Sequence, residues 1–320
     1  MADLYFNEPR GMAYNSATGD LYVADYSNSK ILKIDSAGTV TLFAGGGSSN
    51  TDADTRLNHK CNNPQDLVLD ASVNKLFVTC YGNTAAADGT LKYFMTNSDN
   101  GYTLVRLNNS GSNIDGTSGY SGVGRSRRAY GLSKHPNKKI LFFSDLDLGQ
   151  IMAVSYGDTD SFHNGAVNLG ANNIVRLTPG AALGNTLNKA YTDSALRIRP
   201  YDLVPLMNGS TVEGIFFNNY NDSVVGLVNL TGSDITYGGQ TIAAGIVNSV
   251  TLSGANYARG TIPAYNNTYV RNPMGMILDG SNLIIADFKN GYISKMDVSA
   301  PNTPFTDILK TPPFCFIHSL

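Results

Sequence analysis

One short pattern is written repeatedly along this chain, and repetition at a steady spacing constrains architecture more than any local propensity does. The first copy runs Pro9-Arg10-Gly11-Met12-Ala13-Tyr14, then Leu21-Tyr22-Val23-Ala24-Asp25, Asn28 and Ile31-Leu32-Lys33-Ile34-Asp35. The last runs Pro273-Met274-Gly275-Met276-Ile277-Leu278-Asp279, then Leu283-Ile284-Ile285-Ala286-Asp287, Asn290 and Ile293-Ser294-Lys295-Met296-Asp297. Looser copies begin at Pro64-Gln65-Asp66, Ala129-Tyr130-Gly131 and Pro200-Tyr201-Asp202. Each continues into a second apolar run: Leu76–Cys80, Ile140–Asp145 and Gly214–Asn219. The third motif position, held by Gly11, Asp66, Gly131, Asp202 and Gly275, advances in steps of 55, 65, 71 and 73 residues. A four-stranded blade takes about 40–50 residues, so each step holds one blade with long loops.

The units read as successive short strands. First strands such as Leu67-Val68-Leu69 and Met276-Ile277-Leu278 are continuously apolar, as expected for a strand covered on both faces. Outer strands alternate, as in Ile31-Leu32-Lys33-Ile34. Proline opens the unit where no ladder donor is needed. Glycine at the third position permits close backbone approach near the axis, although aspartate replaces it in two units. The expectation is an all-β chain, a single β-propeller domain over residues 1–320, with units starting near 9, 64, 129, 200 and 273. Its blades are four-stranded and antiparallel. Five blades are the favoured count and six the alternative, since Pro313-Phe314-Cys315-Phe316-Ile317 is either a degenerate sixth opening strand or a closing tail. Leu4-Tyr5-Phe6 is a candidate for the outermost strand of the last blade, which would remove an exposed sheet edge.

These motifs resemble the NHL-repeat β-propeller family. The join after the first unit strengthens the resemblance: Thr41-Leu42-Phe43-Ala44-Gly45-Gly46, a polar loop through Asp52 and Asp54, then Arg56-Leu57-Asn58 and Asn63-Pro64. A fragment recurs as Ala195-Leu196-Arg197-Ile198-Arg199-Pro200. The resemblance is specific in the first and last units and loose in the middle three. Its blades are longer than the family's usual ones, and five is fewer than the family's common six. It implies that the residue between proline and the third position lies at the rim of one tunnel mouth. Here that residue is Arg10, Gln65, Tyr130, Tyr201 and Met274. Tyrosine and arginine are enriched at the energetic centres of interfaces, so these five are the candidate ligand-binding residues.

Composition narrows the partner. The formal net charge is −2 and charged residues make up 15%, against about 25% in typical soluble domains. Nucleic acid and anionic membranes are therefore poor expectations. Arg125, Arg127 and Arg128, with Tyr120 and Tyr130 near them, form the one basic cluster, a thin footprint for RNA. No apolar run approaches the roughly 18–20 residues that span a bilayer, so membrane insertion is not expected. The first ten residues lack the basic start and apolar core of a signal peptide. A neutral surface rich in hydroxyls and amides points to an extracellular or cell-surface setting, with a cytoplasmic one as the alternative. The Asn-x-Ser/Thr sites at Asn108, Asn208, Asn221, Asn229 and Asn266 are what so Asn- and Thr-rich a sequence yields by chance.

Catalytic signals are sparse. The four histidines are His59, His135, His163 and His318, and the only glutamates are Glu8 and Glu213. That scarcity counts against a Glu general base and a His-rich metal site. His163 with Asp158 and Asp160 reads as a solvated turn. Asp25, Asp145 and Asp287, with Asn219, follow second strands and would suit calcium if they converged. Turn-fixing side chains that accept backbone N–H bonds are the preferred reading of them, with no cofactor. Cys61, Cys80 and Cys315 match no zinc spacing. Cys61 and Cys80 can meet if the intervening chain turns back, but isolated small apolar residues are the preferred reading. The functional expectation is a non-catalytic platform that recognises a protein or glycan through its loop face, as an adhesin or recognition head. The runner-up is a metal-dependent hydrolase or lyase on a similar propeller.

Overall fold

A computed structural model of the chain describes residues 5–47, 53, 55–81, 89–107, 112–114, 117–120, 129–146, 149–178, 189–190, 198–219, 224–237, 240–249, 252–253, 269–270, 272–287, 292–298 and 306–310. Outside them lie His318, Cys315 and the Pro313–Ile317 segment, Arg125, Arg127, Arg128, and the acceptor sites Asn108, Asn221 and Asn266. The fold is an all-β, five-bladed β-propeller. The chain divides into two compact units, residues 1–132 with 145–147, and residues 133–144 with 148–320. No helix among the described residues is long and apolar enough to cross a membrane.

The first unit contains two blades. Blade one pairs Pro9–Asn15, Asp20–Asp25, Lys30–Ile34 and Val40–Gly45 in sequence order, all antiparallel. Blade two runs Pro64–Asp70, Lys75–Cys80, Gly89–Met95 and Gly101–Leu107, then adds Ser112–Ile114 and Thr117–Tyr120 on its outer edge. Between the blades pack Tyr22, Ile31, Phe43, Leu67, Leu76, Val78 and Phe94. Fully burying a side chain of this kind is worth about 1.5–3 kcal/mol.

Inserted hairpins show why the later repeat steps are long. Blade three has strands Ala129–Lys134, Ile140–Asp145, Gln150–Ser155 and Ile174–Arg176. A hairpin, Asp160–Phe162 with Val167–Leu169, is inserted before the fourth strand. Blade four pairs Pro200–Asn208, Thr211–Asn219, Val224–Asn229 and Ile246–Ser249, with Lys189–Ala190 outermost. It too carries an inserted hairpin, Ile235–Tyr237 with Gln240–Ile242. Blade five pairs Pro273–Asp279, Asn282–Asp287, Tyr292–Asp297 and Thr306–Lys310. The continuous apolar runs follow from burial on two faces. Phe217 packs with blade three residues Phe142 and Ile151, while its neighbour Phe216 packs with blade five residues Met276, Leu283 and Ile285. Successive strand residues point to opposite faces, so both must be apolar.

The proline motif has one geometry in four blades. Pro9 opposes Asp25 and Met12 opposes Val23, so the first strand advances three residues while its partner advances two. The same extra residue occurs at Pro64/Leu67, Pro200/Leu203 and Pro273/Met276. This is a β-bulge, which bends the strand and re-aims a side chain. The third motif position lies within it. Gly11 sits so close to blade two that a Cβ there would fall 2.5 Å from the Asp66 Cα. The aspartates at this position are staples. Asp66 accepts the Leu67 N–H and, across to the next first strand, the Leu132 N–H, both at 2.8 Å. Asp202 accepts the Leu203 N–H at 2.8 Å and the Met276 N–H at 2.6 Å. Aspartate therefore replaces glycine for a structural purpose.

Two sequence expectations need correction. Cys61 and Cys80 are not isolated apolar residues but a disulfide with a Cα–Cα distance of 5.3 Å. The pairing of Pro64 with Cys80 brings the residues just before Pro64 back onto the end of the second strand. The outermost strand of blade five is Thr306–Lys310, and Tyr5 and Phe6 belong to no strand and are exposed.

Candidate functional site

The bulges set the site. Arg10 and Gln65 occupy the same bulged position of blades one and two, and Tyr130 follows Ala129 at the start of the next first strand. Within the first unit these three meet. Arg10 Nη1 donates to Gln65 Oε1 and, at 2.9 Å, to the Tyr130 hydroxyl. The guanidinium lies 3.4 Å above the centroid of the Tyr26 ring, close enough for strong cation–π attraction. Tyr81 completes the cluster, edge-on to Tyr26 at 6.3 Å and to Tyr130 at 6.4 Å. The Tyr130 carbonyl accepts the Thr79 hydroxyl, which fixes that strand end.

The polar bookkeeping of the cluster is incomplete. Gln65 is 1% exposed, yet its Nε2 has no hydrogen-bond partner. Arg10 is half-buried, and no carboxylate pairs with it among the described residues. Buried donors in native proteins are nearly always satisfied by protein, water or ligand.

Tyr201 and Met274 hold the equivalent bulge positions in the second unit, and both are half-buried. The Tyr201 carbonyl accepts the Ser144 hydroxyl at 3.2 Å. Tyr26 and Tyr81 were not singled out from the sequence. The repeat does carry a signal for them: the residue after the second strand is Tyr26, Tyr81, Leu146, Tyr220 and Phe288 in the five units, aromatic in four.

The strand-end aspartates have local work. Asp25 accepts the Asn7 N–H and the Asn28 side-chain amide, each at 2.7 Å. Asn219 accepts the Arg199 N–H at 2.8 Å. Asp145 and Asp287 are buried at the same strand-end position of their blades. Cys80 occupies this position in blade two, so the disulfide to Cys61 is the covalent form of the same tie. Among the described residues, no group of three or more His, Cys, Asp or Glu is arranged to hold a metal.

The three described histidines are core residues. His59 Nε2 lies 3.1 Å from the buried Lys92 ammonium, and its Nδ1 meets the Ala53 backbone. Burial, then the Lys92 charge, holds its pKa down at about 4. His163 Nε2 meets the Leu177 carbonyl at 2.9 Å, and burial lowers its pKa to about 4. His135 is also lowered by burial, against an opposing pull from Asp160 3.7 Å away. Asp160 pairs with Lys138 at 2.8 Å, and Asp158 accepts the Lys139 N–H, so each member of the His163, Asp158 and Asp160 group bonds elsewhere. A base whose folded pKa is depressed binds its proton more readily when unfolded. Folding stability from His59 and His163 is therefore full above about pH 6.5 and drains away as pH falls toward about 4. Urea unfolding should show a loss of stability across that window. The His59→Gln variant, which cannot be protonated there, should show a shallower one.

The comparisons agree with the architecture. A family model for the NHL repeat matches residues 6–34. Among solved structures, a streptogramin B lyase is similar at 12% identity and a TM-score of 0.53, over 97% of this chain and 72% of that one. A chain of a nidogen/laminin complex is similar at 12% identity and 0.52, over 95% and 86%. A structural-genomics protein of unknown function from Bacteroides thetaiotaomicron is similar at 13% identity and 0.56, over 96% and 58%. A search of curated protein sequences gave no match. The chain is thus a five-bladed β-propeller whose first blade carries an NHL repeat.

Proposed function

We propose that this propeller is a non-catalytic binding platform, and that the Arg10, Gln65 and Tyr130 cluster is where it meets a protein or glycan. The observation that carries this reading is the buried Gln65 amide with an unanswered donor, beside an arginine that pairs with no carboxylate among the described residues. Around them stand three tyrosines, amphipathic and rigid, of the kind that dominate recognition surfaces. The disulfide and the low surface charge support a setting outside the cell, where such bonds form and persist. The nidogen neighbour comes from a complex with laminin, which makes partner binding a natural use of a fold of this kind.

A glycan array and a panel of candidate protein ligands, probed with wild type, Arg10→Ala, Tyr130→Ala and Tyr201→Ala, test the reading. Tyr130→Ala is expected to weaken binding at least about tenfold, the ordinary cost of truncating an aromatic hot spot. Undiminished binding in all three variants removes the bulge residues from consideration. The competing reading, a metal-dependent hydrolase or lyase, predicts stoichiometric calcium or zinc in the purified protein, which elemental analysis detects directly.

A further inference from the structure

We infer that the Arg10 cluster recognises a carboxylate carried by an acidic sugar of the uronic acid type. This rests on the binding reading above and specifies its ligand. Two unmet groups carry it. The first is the guanidinium of Arg10, half-buried over Tyr26 with no carboxylate paired to it among the described residues. A partly desolvated cation calls for an anion, and stacking on an aromatic face offsets only part of that need.

The second is Gln65 Nε2, buried and without a partner. Its identity as nitrogen follows from chemistry. The other amide atom accepts from Arg10 Nη1, and only oxygen can do that. The unanswered atom is therefore a donor. Because Nη1 is committed to Gln65 and Tyr130, the remaining guanidinium N–H groups are the ones left for a ligand. Both of these unmet groups are donors, so the missing partner is an acceptor, and the cation makes it a negative one. A carboxylate matches the flat guanidinium fork in two parallel bonds and has lone pairs to spare for an amide N–H.

The surroundings select the sugar. Tyr26 and Tyr81 are each half-buried beside the polar pair. Aromatic faces next to hydrogen-bond donors suit a pyranose, whose C–H face is apolar and whose rim is polar. The cluster holds one cation, which suits a single carboxylate and not a polyanion, in keeping with the chain's net charge of −2.

The test is titration calorimetry of the intact chain with glucuronate, its methyl ester, glucose, and acetyl-Gly-Gly as a peptide carboxylate. Glucuronate should bind at least about tenfold more tightly than the ester or glucose, the usual weight of a charge-assisted hydrogen bond. It should also exceed acetyl-Gly-Gly. Gln65→Glu is nearly isosteric and gives Arg10 an internal counter-ion, so the fold should melt as wild type does while glucuronate binding disappears. Gln65→Leu, which removes the unanswered donor together with the oxygen that holds Arg10 Nη1, should weaken it at least about tenfold. No detectable glucuronate binding, equal binding of the ester, or full binding in Gln65→Glu would each overturn the inference. Acetyl-Gly-Gly binding as tightly as glucuronate would overturn the sugar assignment. Tyr130-dependent binding of neutral glycans with no preference for charge would sink this inference alone and leave the platform standing. Ligands indifferent to both Arg10 and Tyr130 would remove the platform reading as well.

Discussion

Replacing Cys61 and Cys80 together by alanine should lower folding stability by about 3 kcal/mol, the chain-entropy value for a loop of this size. The bond spans a sequence separation of 19 and closes the first hairpin of blade two. Both cysteines are wholly buried, in the cluster that also holds Phe43, Leu67 and Phe94. Much of the effect acts on the unfolded chain, which becomes free to separate two segments that the native state joins. Blade one supplies an internal comparison. Asp25 makes the same tie without a covalent bond, by accepting the Asn7 N–H. Asp25→Ala should cost about 1–3 kcal/mol through the unsatisfied groups it leaves, less than the loss of the disulfide. Urea midpoints of the oxidised protein, the reduced protein and both variants check the ranking. A midpoint that does not respond to reductant would mean that the bond contributes nothing.

Asp202→Ala should cost about 2–6 kcal/mol, because two buried backbone donors lose their acceptor at once. Leu203 and Met276 are both buried, and both N–H groups point at this one carboxyl. Asp202→Asn keeps one acceptor oxygen and should recover part of the loss. The same staple at Asp66 adds a pH signature. Burial pushes the Asp66 pKa up to about 7, against the pull of the Leu132 and Leu67 N–H groups. A carboxyl with a raised folded pKa favours the native state most in acid and loses that contribution as pH rises from about 4 to about 7. The penalty of Asp66→Ala should therefore be larger at pH 5 than at pH 8. Equal penalties at the two pH values would mean that the carboxyl titrates normally.

Much of this molecule is legible in its residues, and what is not has physical reasons. Five sheets open at Pro9, Pro64, Ala129, Pro200 and Pro273, and they are legible because an apolar hairpin buried on two faces must be written in long apolar runs. Phe216 and Phe217, facing different blades, are an example. The inserted strands are not legible. Asp160–Phe162, Val167–Leu169 and Ile235–Tyr237 are three residues each, too short to display a period. The disulfide was readable only by register: aligning Cys80 with Asp25 puts it at the position that ties down the segment before proline. For the site, the repeat marks Arg10, Gln65 and Tyr130 as equivalent positions. It says nothing of depth, and the value of Gln65 lies in an amide that is buried and half-satisfied. Tyr26 and Tyr81 carry only a weak mark in the sequence, because aromatic residues beside strands are commonplace and only the structure lays the Arg10 cation on one of them.

Recognition at this cluster has a direct signature in solution. The most direct measurement is a chemical-shift map of isotope-labelled protein titrated with the tightest ligand from the array. The saturable shifts should centre on Arg10, Tyr26, Gln65, Tyr81 and Tyr130, with the Arg10 and Gln65 side-chain N–H signals moving most. Saturable binding that leaves those five residues unmoved and shifts another face of the protein would contradict it.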